Sequence, residues 1–456
     1  MSFKRSLVGF MLAWLVPLFQ PLLAQEIQRS PRIAALEAAI RSGDSQATAA
    51  FWSEMKRIGT PLFEPVPGSP HETFVTFVWR AEDERAMLNI GVDTPFNRDA
   101  EGKTVARLSR LKDTDVWYRT YRIESTARFP YGFLWPQGRT PHRWSSQPES
   151  NGIASGDSVP IIDGTAYEYF RDPLALKSIL DAYGDSGELK IASYADAPEA
   201  PPEPWLTARA GASRGQVTTR NFESRILGNT RTITIYTPPG YSPNGKAYPF
   251  VLAFDGSSFL HTLEVPKLLD HMIDAGVIPP LVAILVDQID IAHRSAELPP
   301  NERFGRFLVE ELLPTLRQDL RLTKDPARSI IAGASYGGLA ATWIARDHPE
   351  VFGAVLSQSG SFWWAPEQRT FDAVKMSPQE WVPRQFAQDK KLPLRFYLDV
   401  GTWEGDAMLS GNRHLRDVLQ AKGYELTYRE FTGGHTFLNW RASFPDGLIS
   451  LMGTRR

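Results

Sequence analysis

The run Ser329-Ile330-Ile331-Ala332-Gly333-Ala334-Ser335-Tyr336-Gly337-Gly338 constrains this chain more than any other stretch. Ser329 to Ile331 reads as a strand, and Leu339 to Ala345 reads as a helix. Between them stands Gly-x-Ser-x-Gly, with Gly333 and Gly337 flanking Ser335. Small residues on both sides let a strand and a helix approach closely. The turn strains the backbone and lifts the serine hydroxyl out of the sheet edge. The plain alternative is a tight strand-to-helix turn without chemistry.

The surrounding pattern supplies the fold. Thr218 to Leu227 and Thr230 to Thr237 read as a hairpin around Gly228-Asn229. Tyr248 to Phe254, Leu281 to Val286, Phe352 to Leu356, Leu394 to Val400 and Gly423 to Phe431 read as strands. Helical segments such as Phe304 to Leu316 alternate with them. This alternation predicts an α/β fold with a mainly parallel sheet. With the serine turn in that context, residues 216–456 are expected to form an α/β-hydrolase catalytic domain.

A serine nucleophile needs a base. His435 lies in Phe431-Thr432-Gly433-Gly434-His435, late in the chain and after a strand, as the order serine–acid–histidine requires. His348 falls where the helix after Ser335 should end, and is set aside. The acid should follow the strand Phe396 to Val400. Glu404 is the first candidate to orient the imidazole, Asp406 the second, and Asp399 falls inside the strand. The oxyanion hole is expected from the Tyr336 N–H and, by position after an earlier strand, the Ser257 N–H. The cluster Asp287 to Leu298 follows another strand. There Arg294 either binds an anionic oxygen or pairs with Glu297. His293 with Asp287 lacks the further ligands that a metal site needs.

The amino half has a different character. Phe74 to Arg80, Ala86 to Val92, Val116 to Ile123 and Tyr131 to Trp135 read as short strands. Their spacing predicts a β-sandwich, immunoglobulin-like, over residues 65–194. A helical segment over 25–64 precedes it, and a Pro-rich linker over 195–215 follows. Lys4 and Arg5 stand before an apolar run from Leu7 to Phe19, the pattern of a signal peptide over 1–24. The mature protein is therefore expected to be exported and without stable membrane insertion. The chain has no cysteine. That excludes disulfides, a thiol nucleophile and thiolate-bound metals. A formal net charge of −2 gives no basic field for nucleic acid.

At these residues the carboxyl half resembles the enterochelin esterase family. The stretches that carry the likeness are Asp255-Gly256, Asp287 through Leu298, Ala332 through Gly338, Leu356 through Trp364, and Gly433-Gly434-His435 followed by Trp440-Arg441. Thr76 to Arg80, Thr114 to Trp117 and Asp172-Pro173-Leu174 resemble the family's amino-terminal domain. The resemblance implies a substrate that is a macrocyclic or linear tri-ester of catechol-acylated serine, free or carrying Fe(III). Iron would arrive with the substrate, and no cofactor is expected. Arg294, Trp363, Trp364 and Trp403 are expected to meet the anionic, aromatic ligand, although a tryptophan can equally pack the core. The export pattern implies a periplasmic member with periplasmic uptake partners. The alternatives are an exported carboxylesterase of feruloyl or acetyl polysaccharides, and a siderophore-binding protein without catalysis.

Overall fold

The structure is a computed structural model. It describes residues 30–81, 89–92, 107–136, 161–162, 165–182, 189–207, 211–367 and 380–453. The expected signal peptide and residues 86–88 of one expected strand lie outside the described residues.

The carboxyl half is built on an eight-stranded sheet in the order β11-β12-β14-β13-β15-β16-β17-β18. Its strands are β11 (Gln216–Ser224), β12 (Asn229–Thr237), β13 (Phe250–Phe254), β14 (Val282–Val286), β15 (Ser329–Ala334), β16 (Ala354–Gln358), β17 (Arg395–Gly401) and β18 (Glu425–Phe431). The hairpin β11–β12 closes with Ser224 opposite Asn229, around the predicted Gly228-Asn229 turn. From β14 to β18 all pairings are parallel. Strands β13 to β16 are buried at every position, as a sheet covered on both faces requires. Side chains alternate between those faces. Phe250, Leu252 and Phe254 join one apolar cluster, while Val251 and Ala253 join the other. The predicted helix Phe304 to Leu316 is a composite: Glu302–Arg306, a π-helical turn Phe307–Leu312, then Leu313–Asp319.

The chain runs from β13 to β14 on one side, then crosses to β15 on the other. Crevices for ligands open at the carboxyl ends of strands at such a switch point.

Among the described residues, the amino half carries two antiparallel sheets. One has the order β1-β2-β5-β4, with β1 (Leu62–Val66), β2 (Ser69–Arg80), β4 (Ser109–Arg110) and β5 (Val116–Glu124). The other has β7 (Ile161–Ile162), β8 (Thr165–Phe170), β6 (Arg128–Pro136), β10 (Leu189–Asp196) and β9 (Ser178–Ala182) in that order, with β3 (Asn89–Val92) also on β6. Val75, Phe77 and Trp79 of β2 pack with Phe129, Tyr131 and Phe133 of β6. The rings of Phe77 and Tyr131 are 5.1 Å apart. Val78, Val116 and Tyr118 face the opposite way, onto Phe51, Trp52 and Met55 of helix Ala47–Ile58. Among the described residues, no helix is long and apolar enough to cross a membrane.

Candidate active site

Ser335 stands between β15 and helix Tyr336–Asp347, with φ 58° and ψ −122°. This is a region that L-residues avoid, and it persists where the surroundings force it. Gly333 explains how. A Cβ at that position would lie 2.5 Å from the Gly337 carbonyl carbon, so only glycine allows the strand and helix to cross there. The Ser335 N–H donates to Gln358 O at 2.9 Å, and the Ser361 N–H donates to Ser335 O at 3.1 Å. The turn is thus clasped by the loop after β16. The Ser335 and Ser361 hydroxyls lie 3.4 Å apart.

The loops after β17 and β18 bring the base and the acid together. His435 Nδ1 lies 2.6 Å from Glu404 Oε2. The other carboxylate oxygen accepts from the Gly401 N–H at 2.7 Å and from the Ser359 hydroxyl at 2.5 Å. The Trp440 indole N–H donates to the same Ser359 oxygen at 2.8 Å. The Trp440 ring also meets the His435 ring edge-on at 4.8 Å. A carboxylate on Nδ1 fixes the imidazole tautomer and turns Nε2 to the opposite edge, the arrangement a general base requires. Asp406 is elsewhere. It is exposed, in the first turn of helix Asp406–Ala421.

Asp399 lies within β17 and is fully buried. Burial pushes its carboxyl up to about 7, and the neighbouring Glu404 carboxylate pushes in the same direction. The nearby polar side chains of Ser443, Gln358 and Tyr397 only partly offset this.

The structure gives five expected site residues, Ser257, Arg294, Trp363, Trp364 and Trp403, other surroundings than the sequence suggests. Ser257 is the second residue of helix Gly256–His261, and its N–H donates to Asp287 Oδ1 at 3.2 Å. The first N–H groups of a helix lack intrahelical acceptors, so a carboxylate beside them captures one. Burial raises the Asp287 pKa, and the Asp255 carboxylate adds to the rise. Arg294 does not pair with Glu297. Its Nε and Nη2 grip the two oxygens of buried Asp255 at 2.6 and 2.8 Å. Burial opposes the Arg294 charge, yet the Asp255 contact outweighs it and holds its pKa above the ordinary value. Glu297 is taken instead by Arg231 at 2.9 Å. Trp363 and Trp364 are only 4% and 5% exposed and belong to the core of the large sheet. Trp403, 6% exposed, packs into the core of the amino half. Indoles with so little free surface serve packing, because burying them is the larger gain.

Sequence reasoning missed the parts played by Ser359, Ser361 and Trp440. All lie in stretches that carry the family likeness, but a lone serine or tryptophan announces no partner. The positive φ of Ser359, 47°, is visible only in the fold.

A strained serine follows β15, and a buried glutamate paired with a histidine follows the adjacent strands β17 and β18 of the same sheet. Known proteins resemble this chain over most of its length. Residues 224–451 match the Esterase family, and residues 74–206 match the family described as enterochelin esterase, N-terminal. An iron(III) enterobactin esterase of Dickeya dadantii is 30% identical, over 93% of this chain and 97% of its own. An iron(III) salmochelin esterase of Escherichia coli O6:H1 is also 30% identical, over 93% and 99%. The solved structure of a ferric enterobactin esterase from Salmonella typhimurium superposes with a TM-score of 0.70 at 26% identity, covering 88% of this chain and 98% of that one. Both family halves occur in the same order on one polypeptide, and the likeness runs nearly end to end. The chain therefore belongs to the enterochelin esterase family and is an ester hydrolase.

Proposed function

We propose that the protein hydrolyses the ester bonds of catecholate tri-serine siderophores, the ferric complex included, and so helps release iron. The Glu404–His435 contact beside the strained Ser335 turn carries this reading. It stands on a chain whose relatives over both halves are named for enterobactin and salmochelin. Ser335 attacks an ester carbonyl while His435 takes its proton, with Glu404 steadying the imidazolium. The Tyr336 N–H, at the start of its helix, faces the oxyanion. The Ser257 N–H joins it on leaving Asp287, whose long hydrogen bond is the weaker competitor once an oxyanion forms. His435 then protonates the leaving serine alkoxide, and water clears the acyl-enzyme. Iron is cargo and takes no part in bond cleavage.

The two antiparallel sheets of the amino half are read as the family's β-sandwich, immunoglobulin-like in its layering. The charged and apolar opening residues of the chain support export to the periplasm, where hydrolysis would precede transport across the inner membrane.

The test is direct. The mature protein is incubated with a ferric catecholate tri-ester, and monomer release is followed by chromatography. Turnover that disappears in Ser335→Ala is expected. Tight binding without turnover would make the protein a carrier. Cleavage of feruloyl sugars alone would move it to polysaccharide esters.

A further inference from the structure

The amino half grips both loops that carry the acid and the base. Trp403 is adjacent to Glu404 in sequence, yet its indole leaves the catalytic domain. It is buried with Val75, Phe77, Phe129 and Tyr131 in the core of the amino-half sheets. The Phe129 and Trp403 rings lie 5.9 Å apart. The backbone N–H of Trp403 meanwhile donates to Gly433 O at 3.1 Å, and that of Thr402 donates to Phe431 O at 2.8 Å. The acid loop and the base loop are therefore sewn together by backbone. Their approach is so close that a Cβ on Gly401 would lie 2.3 Å from Gly433 O.

The base loop is held from the same side. Thr126 and Thr432 hydroxyls are 2.9 Å apart, and the Arg128 N–H reaches Thr432 O at 3.4 Å. Just beyond His435, Arg441 is locked to Glu203 by two hydrogen bonds of 2.8 and 2.9 Å. Arg128 approaches the same glutamate at 3.7 Å. Contacts from the amino half thus bracket the Glu404–His435 pair on both loops, and those contacts include an aromatic side chain planted in the amino-half core.

We infer that the amino-half sheets hold the acid and base in register, with Phe129 and Trp403 acting as positioning residues for Glu404 and His435. This rests on the reading of Ser335, His435 and Glu404 as the catalytic group. It gives the amino half a role in the chemical step that is separate from covering or binding substrate. A loop whose neighbouring residue is fixed in a packed core loses the freedom to swing its carboxylate, and small misplacements of catalytic groups are expensive in rate.

A small ester isolates this role, because p-nitrophenyl acetate needs no amino-half surface to bind. Phe129→Ala and Trp403→Ala are each expected to lower its kcat about ten-fold, with KM changed less than two-fold. Phe129→Leu should recover most of the loss. The double variant should lose little more than either single one, since both act through one contact. Folded variants with unaltered kcat, or with the loss confined to KM, would overturn the inference and leave the contact as domain docking. Trp403→Phe, which shortens the aromatic plug without emptying it, carries the same test should the alanine variants not fold. It should lose about three-fold in kcat, and an unaltered kcat would count against the inference. Ser335→Ala is measured alongside. If it retains turnover, the catalytic reading itself fails, which is a different result from failure of the positioning contact.

Discussion

Glu404 Oε2 lies 2.6 Å from His435 Nδ1, with the glutamate side chain fully enclosed and the histidine side chain one-third exposed, at 0% and 33%. The pair is thus anchored at the carboxylate and open at the imidazole. A buried acceptor on Nδ1 holds the ring in one tautomer and stabilises the cation that forms as the serine gives up its proton. Glu404→Gln should reduce kcat for the tri-ester about ten-thousand-fold, the scale seen when such a carboxylate becomes an amide. Asp406→Asn, altering an exposed residue in a helix's first turn, should stay within about two-fold of wild type. Single-turnover rates of the two variants check the order. The reverse order would give Asp406 the part of acid.

Ser359 supports that anchor. Its hydroxyl donates to Glu404 and accepts from Trp440, so one oxygen links the acid to a residue packed on the base. Ser359→Ala removes the link and leaves the Trp440 indole N–H without that acceptor. A loss of about ten-fold in kcat with little change in KM is expected, consistent with about 1.4 kcal/mol for a lost hydrogen bond to a charged group. Equal losses in kcat and thermal stability from Ser359→Ala and from an unrelated buried serine would remove the positioning argument.

The serine turn has a steric requirement that is separable from its chemistry. Gly333→Ala would place a methyl group 2.5 Å from the Gly337 carbonyl carbon, where the obstacle is backbone. Relief requires parting β15 from its helix, at a cost on the order of 1–3 kcal/mol. The melting temperature should fall and esterase activity should fall further, because Ser335 rides on that junction. Gly245→Ala, whose nearest contact is an ordinary 3.4 Å, should leave both near wild type. Calorimetry and ester turnover on the same samples distinguish these outcomes.

How much of this was readable in advance follows from the reach of each signal. The Ser335 turn, the hairpin at Gly228-Asn229 and the buried strands were legible because each depends on neighbours in sequence. Periodicity and glycine placement report such local needs directly. The Glu404–His435 contact was anticipated from chain order and strand ends, so its candidates included Asp406 as well. The three tryptophans were misplaced for a physical reason. An indole next to a catalytic loop looks like a ligand contact, but its large apolar surface is drawn into whichever core lies near. For Trp403 that core belongs to the other half of the chain. Arg294 was likewise drawn to Asp255, distant by 39 residues, and not to nearby Glu297. Composition and spacing do not reveal which of two carboxylates a guanidinium will choose.

Asp399 leads to a prediction about pH. Its carboxyl is fully buried in β17 and pushed up to about 7, chiefly by burial and further by the Glu404 charge. In the unfolded chain the group returns to its ordinary value of 3.8. Between those two values the folded protein holds the proton more often than the unfolded chain does. Stability therefore declines as pH rises through that window, and the contribution is fully present only below it. Each unit of separation corresponds to roughly 1.4 kcal/mol, so the decline amounts to a few kcal/mol. Asp399→Asn keeps the shape and removes the titration. Relative to wild type, the variant should gain stability between pH 5 and pH 8, as read from urea midpoints at both values. Parallel pH dependence of the two proteins would show that Asp399 carries the same charge when folded and unfolded. The gain should come without a change in the Glu404–His435 distance, because Asp399 acts on that pair through its charge. If the variant instead loses turnover at pH 5, where both proteins carry a neutral group at this position, the amide has disturbed the packing beneath the acid loop.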